Sequence, residues 1–193
     1  MIYILENRET NWGDFGSLLV SGMVFHLERL NGLLQIERSG PYVPPLIDSG
    51  LGNIIVRDDV KRMLETSGLS GIKYKPVIKK HIVEIHWDKW DLQSEEPPYY
   101  PESGEPEDYI LEAEHSEIIS AQIGDLWELI IPETGTFRNN LFVEFGPPAD
   151  IFKADNKGYI FLTEKAKIWI EHNAGEWVTF EKMEDGKSCI SKK

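Results

Sequence analysis

The side chains that most often bind metals or act as nucleophiles are few and scattered in this chain of 193 residues. His81 and His86 lie five residues apart on a predicted strand, where successive side chains alternate between faces. They therefore point to opposite sides and cannot chelate one metal ion together. The single cysteine, Cys189, can form neither an intrachain disulfide nor a thiolate metal site, which fits a reducing compartment. We expect no metal and no cofactor.

Carboxylates are numerous, but no known catalytic motif accompanies them. The sequence contains no GxSxG, GxxxxGK[ST], HExxH or GxGxxG motif. Two acids act together in hydrolysis only at a defined spatial separation, which their spacing along the chain does not give. The sequence therefore predicts a protein that is not an enzyme. A small hydrolase whose carboxylates meet in a cleft remains the alternative.

The negative charge of the chain is concentrated in residues 91–137, which we call the acidic segment. The chain has a net charge of −13, from 33 acidic and 20 basic residues. The acidic segment holds 13 of the acids and no Lys or Arg, so the remainder has 20 acids and 20 bases. Nucleic acid and anionic membrane are poor partners for such a surface, whereas a basic protein complements it. The same run of acids would also serve merely to solvate a long loop.

Aromatic residues lie among and beside these acids. Residues 95–108 of the segment also contain four prolines, which favour an extended loop over a helix. Aromatic rings mixed with charged groups are typical of protein interfaces, although the same rings could instead fix the loop to the body of the protein. The predicted anchors for a partner are Trp87, Trp90, Tyr99, Tyr100 and Tyr109, and the predicted complementary charges are Glu95, Glu96, Glu105, Glu107 and Asp108.

The elements that would position these residues are organised around a repeat. Residues 52–77 and 158–183 follow the same plan, with a short apolar strand, a capped amphipathic helix and a closing strand at an offset of 106 residues. Asp58 is the predicted N-cap of the first helix and Thr163 that of the second. The identical pairs are Gly52 and Gly158, Ile54 and Ile160, Lys61 and Lys167, and Glu65 and Glu171. The predicted buried stripes are Val60, Met63 and Leu64 in the first helix and Ala166, Trp169 and Ile170 in the second.

Outside the two units the pattern is mostly strand and loop. Residues 75–90 read as one continuous strand, and residues 126–131 as a strand or a short helix. We therefore expect an α+β fold with a mixed, mainly antiparallel sheet and two related strand–helix–strand units. Residues 1–193 form one domain, which can divide into lobes at 1–90 and 138–193 joined by the loop-rich acidic segment.

The location of the protein in the cell is predicted from the N-terminus and from the hydropathy of the chain. The first residues lack the basic start and long apolar run of a signal peptide. No apolar run approaches the roughly 20 residues that a membrane-spanning helix requires. With 41% hydrophobic residues the chain can bury a proper core. We expect a cytoplasmic protein that does not bind membranes.

The repeated units resemble a known family. The stretch IIVRDDVKRMLETSGLSGIKYKPV at 54–77 is similar to the strand–helix–strand element of immunity proteins from bacterial polymorphic toxin systems. The stretch IFLTEKAKIWI at 160–170 resembles the second such element that these proteins often contain. The resemblance implies a cytoplasmic antidote that binds and blocks a cognate toxin. Such proteins share no catalytic residues, and the zinc-type cysteines of some relatives have no counterpart here.

The sequence thus predicts a non-enzymatic binding protein, with a basic toxin domain as its partner. Charge complementarity would steer the two proteins together, since many toxic nucleases are basic. A second alternative, besides the hydrolase, is an inhibitor whose acids imitate the phosphates of DNA. The four prolines argue against the regular array of charges that such mimicry needs. The oligomeric state is left open.

Overall fold

The computed structural model describes residues 1–50, 52–138, 141–145, 149–154 and 158–183. Cys189 lies outside these ranges. The described residues form thirteen strands and five helices in mixed, mostly antiparallel sheets. The predicted α+β class is confirmed.

The element boundaries follow the chain in order. The strands are β1 (Ile2–Asn7), β2 (Met23–Val24), β3 (Gln35–Gly40), β4 (Leu46–Asp48), β5 (Ile54–Arg57), β6 (Lys73–Pro76), β7 (Ile78–Glu84), β8 (Leu126–Ile130), β9 (Glu133–Arg138), β10 (Leu141–Phe145), β11 (Ile151–Ala154), β12 (Ile160–Thr163) and β13 (Val178–Lys182). The helices are α1 (Asp14–Ser21), α2 (Asp58–Thr66), α3 (Asp108–Leu111), α4 (Glu117–Ile123) and α5 (Glu164–Ala174), and a 3₁₀ turn covers Trp87–Lys89.

Both predicted units are present, and each surrounds a central strand. In unit one, which is built on residues 52–77, β5 and β6 lie on either side of β8, with both pairings antiparallel. In unit two, which is built on residues 158–183, β12 and β13 lie on either side of β1 in the same way. Ile54 and Tyr74 are both opposite Leu129, and their counterparts Ile160 and Phe180 are both opposite Leu5. The offset of 106 residues therefore holds in the pairing register as well as in the order of elements.

The equivalence extends to one further strand in each unit. β4 pairs with β5 on its outer edge, and β11 pairs with β12 in the corresponding position. The two four-stranded arrangements are thus β4-β5-β8-β6 and β11-β12-β1-β13, the second continuing into β9 and β10. The two central strands are placed differently along the chain. β1 precedes unit one but pairs within unit two, whereas β8 follows unit one and pairs within it. Neither sheet is built from one predicted lobe alone.

The helices of both units pack into one shared core. Val60 and Leu64 of α2 are buried, as are Ala166 and Ile170 at the equivalent positions of α5. Met63 departs from the predicted stripe, because 40% of its surface is exposed. The shared core also contains Leu5, Leu46, Ile54, Val56, Leu129, Ile131, Ile151, Ile160, Leu162, Ala174 and Val178.

The helix caps differ between the units. Thr163 caps α5 as predicted, since its hydroxyl accepts from the Ala166 N–H at 3.3 Å. The prediction for Asp58 is wrong, because Arg57 occupies the N-cap position and no side chain caps α2. Asp58 is already helical, and its carboxylate accepts from Trp127 Nε1 at 3.0 Å and pairs with Arg62.

The predicted strand over residues 75–90 is divided between two sheets. It breaks after Pro76, so that β6 stays in unit one while β7 pairs in parallel with β3 in a separate three-stranded sheet. β7 ends at Glu84, and the 3₁₀ turn follows. This sheet and α4 form a second core with Ile55, which lies on the outer face of unit one.

Candidate functional site

The predicted aromatic anchors belong to a connected group of rings, the aromatic cluster. Trp12 contacts Trp90 edge-on at a centroid distance of 5.2 Å, and Trp90 contacts Tyr99 in the same way at 5.1 Å. Trp87 contacts Tyr42 at 5.4 Å. The cluster consists of Trp12, Phe15, Tyr42, Trp87, Trp90, Tyr99, Tyr100, Tyr109 and Trp177.

Three of the five predicted anchors are buried and are not available to a partner. Trp87 is 3% exposed, Trp90 is 8% exposed and Tyr109 is 8% exposed. The 3₁₀ turn folds the first two rings onto α1, and α3 brings Tyr109 beside them. The prediction of these three as surface anchors is wrong, because their apolar area forms a core. Burial raises the pKa of Tyr109 to about 12, and the nearby Tyr99 and Tyr100 act in the same direction.

Tyr99 and Tyr100 have one face in the cluster and the other in solvent. Their surfaces are 54% and 47% exposed. The Tyr99 hydroxyl accepts from Trp90 Nε1 at 3.2 Å, and Tyr100 packs edge-on against Phe15 at 5.0 Å. The two rings therefore fix the loop to the body of the protein, as the alternative interpretation expected, and still present contact area.

The five predicted charges lie on the same ordered stretch of chain. Glu95, Glu96, Glu105 and Glu107 are exposed, and Asp108 is half-buried and accepts a hydrogen bond from the Ser103 hydroxyl. Backbone hydrogen bonds close turns along this stretch, as from Gly104 N to Pro101 O at 3.0 Å. Within the described ranges, none of the five carboxylates has a Lys or Arg partner within 4.0 Å. We call these five acids, with Tyr99 and Tyr100, the acidic face.

The rest of the acidic segment is not a loop, because it contributes α3, α4 and the central strand β8. Its most buried acid is Glu128 on β8, which is 3% exposed. Both carboxylate oxygens of Glu128 accept from the Arg29 guanidinium, at 2.7 and 2.6 Å, and Arg29 also donates to Asn53 Oδ1 at 3.2 Å. His26 contacts Asn53 at 2.5 Å, and burial lowers the His26 pKa, with Arg29 acting in the same direction.

A cavity of about 490 Å³ brings together acids that lie far apart in the sequence. Glu6, Glu9 and Asp48 line it, together with Leu5, Asn7, Gly158 and Tyr159. Burial raises the pKa of Asp48, although a hydrogen bond from the Gly50 N–H opposes that shift. A carboxyl group whose pKa is raised beside other carboxylates is a suitable general acid. This acid cavity was not predicted, since its members come from β1 and the loop after it, β4 and the start of unit two.

His81 and His115 contact each other and the backbone. His81 and His115 pack edge-on at a centroid distance of 6.0 Å. His81 Nε2 contacts the Ala113 carbonyl at 2.9 Å, while His115 Nδ1 accepts from the Ile82 N–H at 2.9 Å. Among the described residues no three His, Cys, Asp or Glu side chains are grouped closely enough to hold a metal ion. The sequence does not predict this contact, because His81 and His115 lie 34 positions apart along the chain.

Comparisons with known proteins add no relative. No protein-family model matches the chain, and no curated protein and no solved structure is significantly similar to it. In the described part of the chain, no helix has the length and apolar character needed to cross a membrane.

Proposed function

We propose that this protein is a non-enzymatic cytoplasmic binding protein of the immunity type, which captures a basic toxin domain through its acidic face. The observation that supports the proposal is the set of carboxylates displayed there without a basic partner within 4.0 Å in the described structure. Such charge repels itself, and a cationic partner relieves that repulsion.

The setting of these carboxylates favours recognition over simple solvation. The stretch around them is held by the aromatic cluster, so the charges are presented on an ordered surface. Pre-ordering reduces the entropy that is lost on binding. Tyr99 and Tyr100 add exposed ring area of the type that is enriched at the energetic centres of interfaces.

The resemblance of both units to immunity proteins supports the same proposal. The repeat that carries this resemblance is present in the fold, with one register for both copies. The resemblance gives the expectation that the partner is a toxin. The acidic face gives the expected binding surface and the expected positive charge of the partner.

Charge reversal on the acidic face tests the proposal. The partner is first captured from the native cell and identified, and its affinity is then measured for the triple variant Glu105→Lys, Glu107→Lys and Asp108→Lys. We expect the affinity to fall by tenfold or more at low salt and the difference to shrink as salt is added. The matched control reverses three exposed acids elsewhere, Glu28, Glu84 and Glu164, and should change the affinity far less. Equal affinities for the two triple variants would reject the acidic face as the interface.

The identity of the captured partner also distinguishes the DNA-mimic alternative. A nuclease whose DNA binding competes with this protein at its DNA site would favour mimicry. A partner that is blocked at another surface would favour ordinary charge-complementary capture.

A carboxylate-using hydrolase is the second candidate, because of the acid cavity. Asp48 would be the general acid, since its raised pKa favours the protonated form. Hydrolysis of ester and glycoside substrates that is lost in Asp48→Asn, and kept in the exposed-acid control Glu164→Gln, would support this candidate. No turnover by the unmodified protein would leave binding as the better account.

A further inference from the structure

Four indole rings of the aromatic cluster follow one another in contact, and we call them the indole row. Trp177 contacts Trp87 at a centroid distance of 5.7 Å, and Trp87 contacts Trp12 at 6.2 Å. Trp12 contacts Trp90 at 5.2 Å, and Trp90 contacts Tyr99 at 5.1 Å. Trp177 is half-buried and Tyr99 is 54% exposed. The row therefore joins two solvent-accessible rings through three buried indoles.

Such a row has a redox chemistry of its own. Indoles and phenols are the aromatic side chains that lose an electron most readily, and an electron moves quickly between such rings when they are in contact. At neutral pH a phenol that can release its proton is oxidised more easily than an indole. An electron vacancy on any indole of the row should therefore move to a tyrosine whose proton has an acceptor.

We propose that the indole row carries one-electron oxidation from Trp177 to Tyr99, which makes Tyr99 the site of oxidative modification. A one-electron oxidant takes an electron from Trp177, each oxidised indole regains an electron from the next ring, and Tyr99 supplies the last one. The phenolic proton of Tyr99 passes to water. The net products are a neutral Tyr99 radical, one released proton and the reduced oxidant.

Contact with an indole and access to water come together at Tyr99. Its ring is exposed, and its hydroxyl accepts from Trp90 Nε1 at 3.2 Å, so oxidised indole and phenol are directly joined. Tyr109 contacts Trp90 as well, at 5.8 Å. The hydroxyl of Tyr109 is buried and has no hydrogen-bond partner in the described structure, so nothing there takes its proton.

The other two tyrosines of the cluster each lack one requirement. Tyr42 contacts Trp87 at 5.4 Å, but burial raises its pKa. Its hydroxyl also lies beside an indole N–H, which only donates and cannot take a proton. Tyr100 is 47% exposed, but the ring it contacts is Phe15, which neither loses nor relays an electron under these conditions.

Trp12 is the link on which the row depends. Among the ring contacts of the described residues, Trp12 alone joins the Trp87 end of the cluster to the Trp90 end. Its φ angle is 67°, a left-handed conformation that bulky residues rarely adopt. Its indole N–H donates to the Asp91 carbonyl at 3.2 Å, which fixes the ring between its neighbours. The unfavourable backbone conformation thus occurs where one ring completes the row.

Pulse radiolysis of the full chain tests the proposal. The azide radical oxidises indoles faster than phenols, and the absorbance of the indole radical should then give way to that of the tyrosine radical. We expect a first-order conversion whose rate does not depend on protein concentration, because the electron moves within one molecule. Tyr99→Phe should remove most of this conversion, since the terminal phenol is gone.

The matched control is Tyr74→Phe in unit one. Tyr74 is half-buried and shares the Lys61 ammonium with Trp127, an indole outside the row, so it is the nearest competing phenol of another indole. Its removal should leave most of the conversion. Equal conversion in Tyr99→Phe and the unmodified protein, or a loss in Tyr74→Phe instead, overturns the proposal.

Trp12→Phe tests the path separately from its end. Phenylalanine occupies much of the same space but does not give an electron to an oxidised indole, so vacancies that enter at Trp177 and Trp87 should no longer reach Tyr99. Trp169→Phe removes a half-buried indole outside the row and should not reduce the conversion. Full conversion in folded Trp12→Phe rejects the row as the path. If that variant does not fold, the result for Tyr99→Phe, a change at an exposed ring, decides.

Discussion

The two units share one backbone plan but differ on their outer faces. At the centre of unit one, Ile55 lies opposite Glu128, while the equivalent Phe161 of unit two lies opposite Ile4. The helix-facing sides remain apolar in both units because they meet in one core. The inner faces are alike because both helices pack into one core, whereas each outer face matches the chemistry of the elements that cover it.

Those covering elements differ in chemistry. Over unit one, Arg29 reaches Glu128 from the loop after β2, and Asn53 and His26 complete a polar group. On unit two, Phe152 and Phe161 stack at a centroid distance of 5.6 Å in a small apolar cluster that includes Ile4. One position of the repeat therefore contains a buried carboxylate in one copy and a hydrocarbon in the other.

The largest expected effect tests the equivalence of the inner faces. Leu64→Ala and Ile170→Ala remove buried side chains at matching positions of α2 and α5. Each should lower the free energy of unfolding by about 3 kcal/mol, since both leave a cavity in the shared core. Denaturant unfolding gives both values. A difference above about 2 kcal/mol between the two variants would show that the inner faces are not energetically equivalent.

The next effect tests the difference between the outer faces. Glu128→Ala removes one partner of a buried ion pair and should cost about 2–3 kcal/mol, below the full value for a buried pair because Arg29 is partly exposed. The double variant Arg29→Leu and Glu128→Ile imitates unit two. It should be more stable in urea unfolding than Glu128→Ala alone. If the double variant is the less stable of the two, unit one does not tolerate the apolar outer face of unit two.

A smaller effect on stability is expected at the N-cap positions of the two helices. Thr163→Ala removes the only side-chain cap of α5 seen in the described structure and should cost about 1 kcal/mol. Arg57→Ala at the equivalent position of α2 removes no cap and serves as the comparison. The loss of helix signal on heating, followed by circular dichroism, should move to lower temperature for Thr163→Ala. An unchanged midpoint would mean that the Thr163 cap contributes nothing to stability.

The smallest effect is the pH dependence that His26 gives to the stability of the protein. The folded state lowers the His26 pKa below its ordinary value of 6.5, so the unfolded chain binds this proton more readily. The His26 contribution to stability is therefore present above pH 6.5 and is lost as the pH falls from there toward the folded pKa. Unfolding at pH 7 and pH 5 should show a smaller difference for His26→Gln than for the unmodified protein. A difference of equal size would assign the pH dependence to other groups.

Most of the features that the sequence predicted correctly depend on local pattern. The offset of 106 residues, the Thr163 cap and the buried stripe residues Leu64 and Ile170 all follow from short-range spacing, and the structure contains them. Asp58 was misassigned because a helix that begins one residue later would have looked the same in sequence. Residues 75–90 were read as one strand because periodicity does not reveal that a chain changes sheets at Pro76.

The candidate site was less predictable, because it depends on which distant elements meet. Trp87 and Trp90 sit next to exposed charged residues in sequence, yet α1 covers them. The acid cavity needs residues from β1, the loop after it and β4 together with Gly158 and Tyr159. The spacing of residues along the chain does not predict such long-range contacts. The exposed acids of the acidic face were easier to place, since charge without a partner tends to remain in water.

The N-terminal position of β1, the central strand of unit two, has a consequence for biosynthesis. β1 leaves the ribosome early, whereas β12 and β13, which pair with it on either side, are synthesised last. The backbone groups of β1 therefore stay unpaired until β12 and β13 have been made. Contacts between such distant parts of a chain slow folding and leave strand edges open to other chains in the meantime. Nascent chains of this protein should therefore depend on chaperones until synthesis has passed β13.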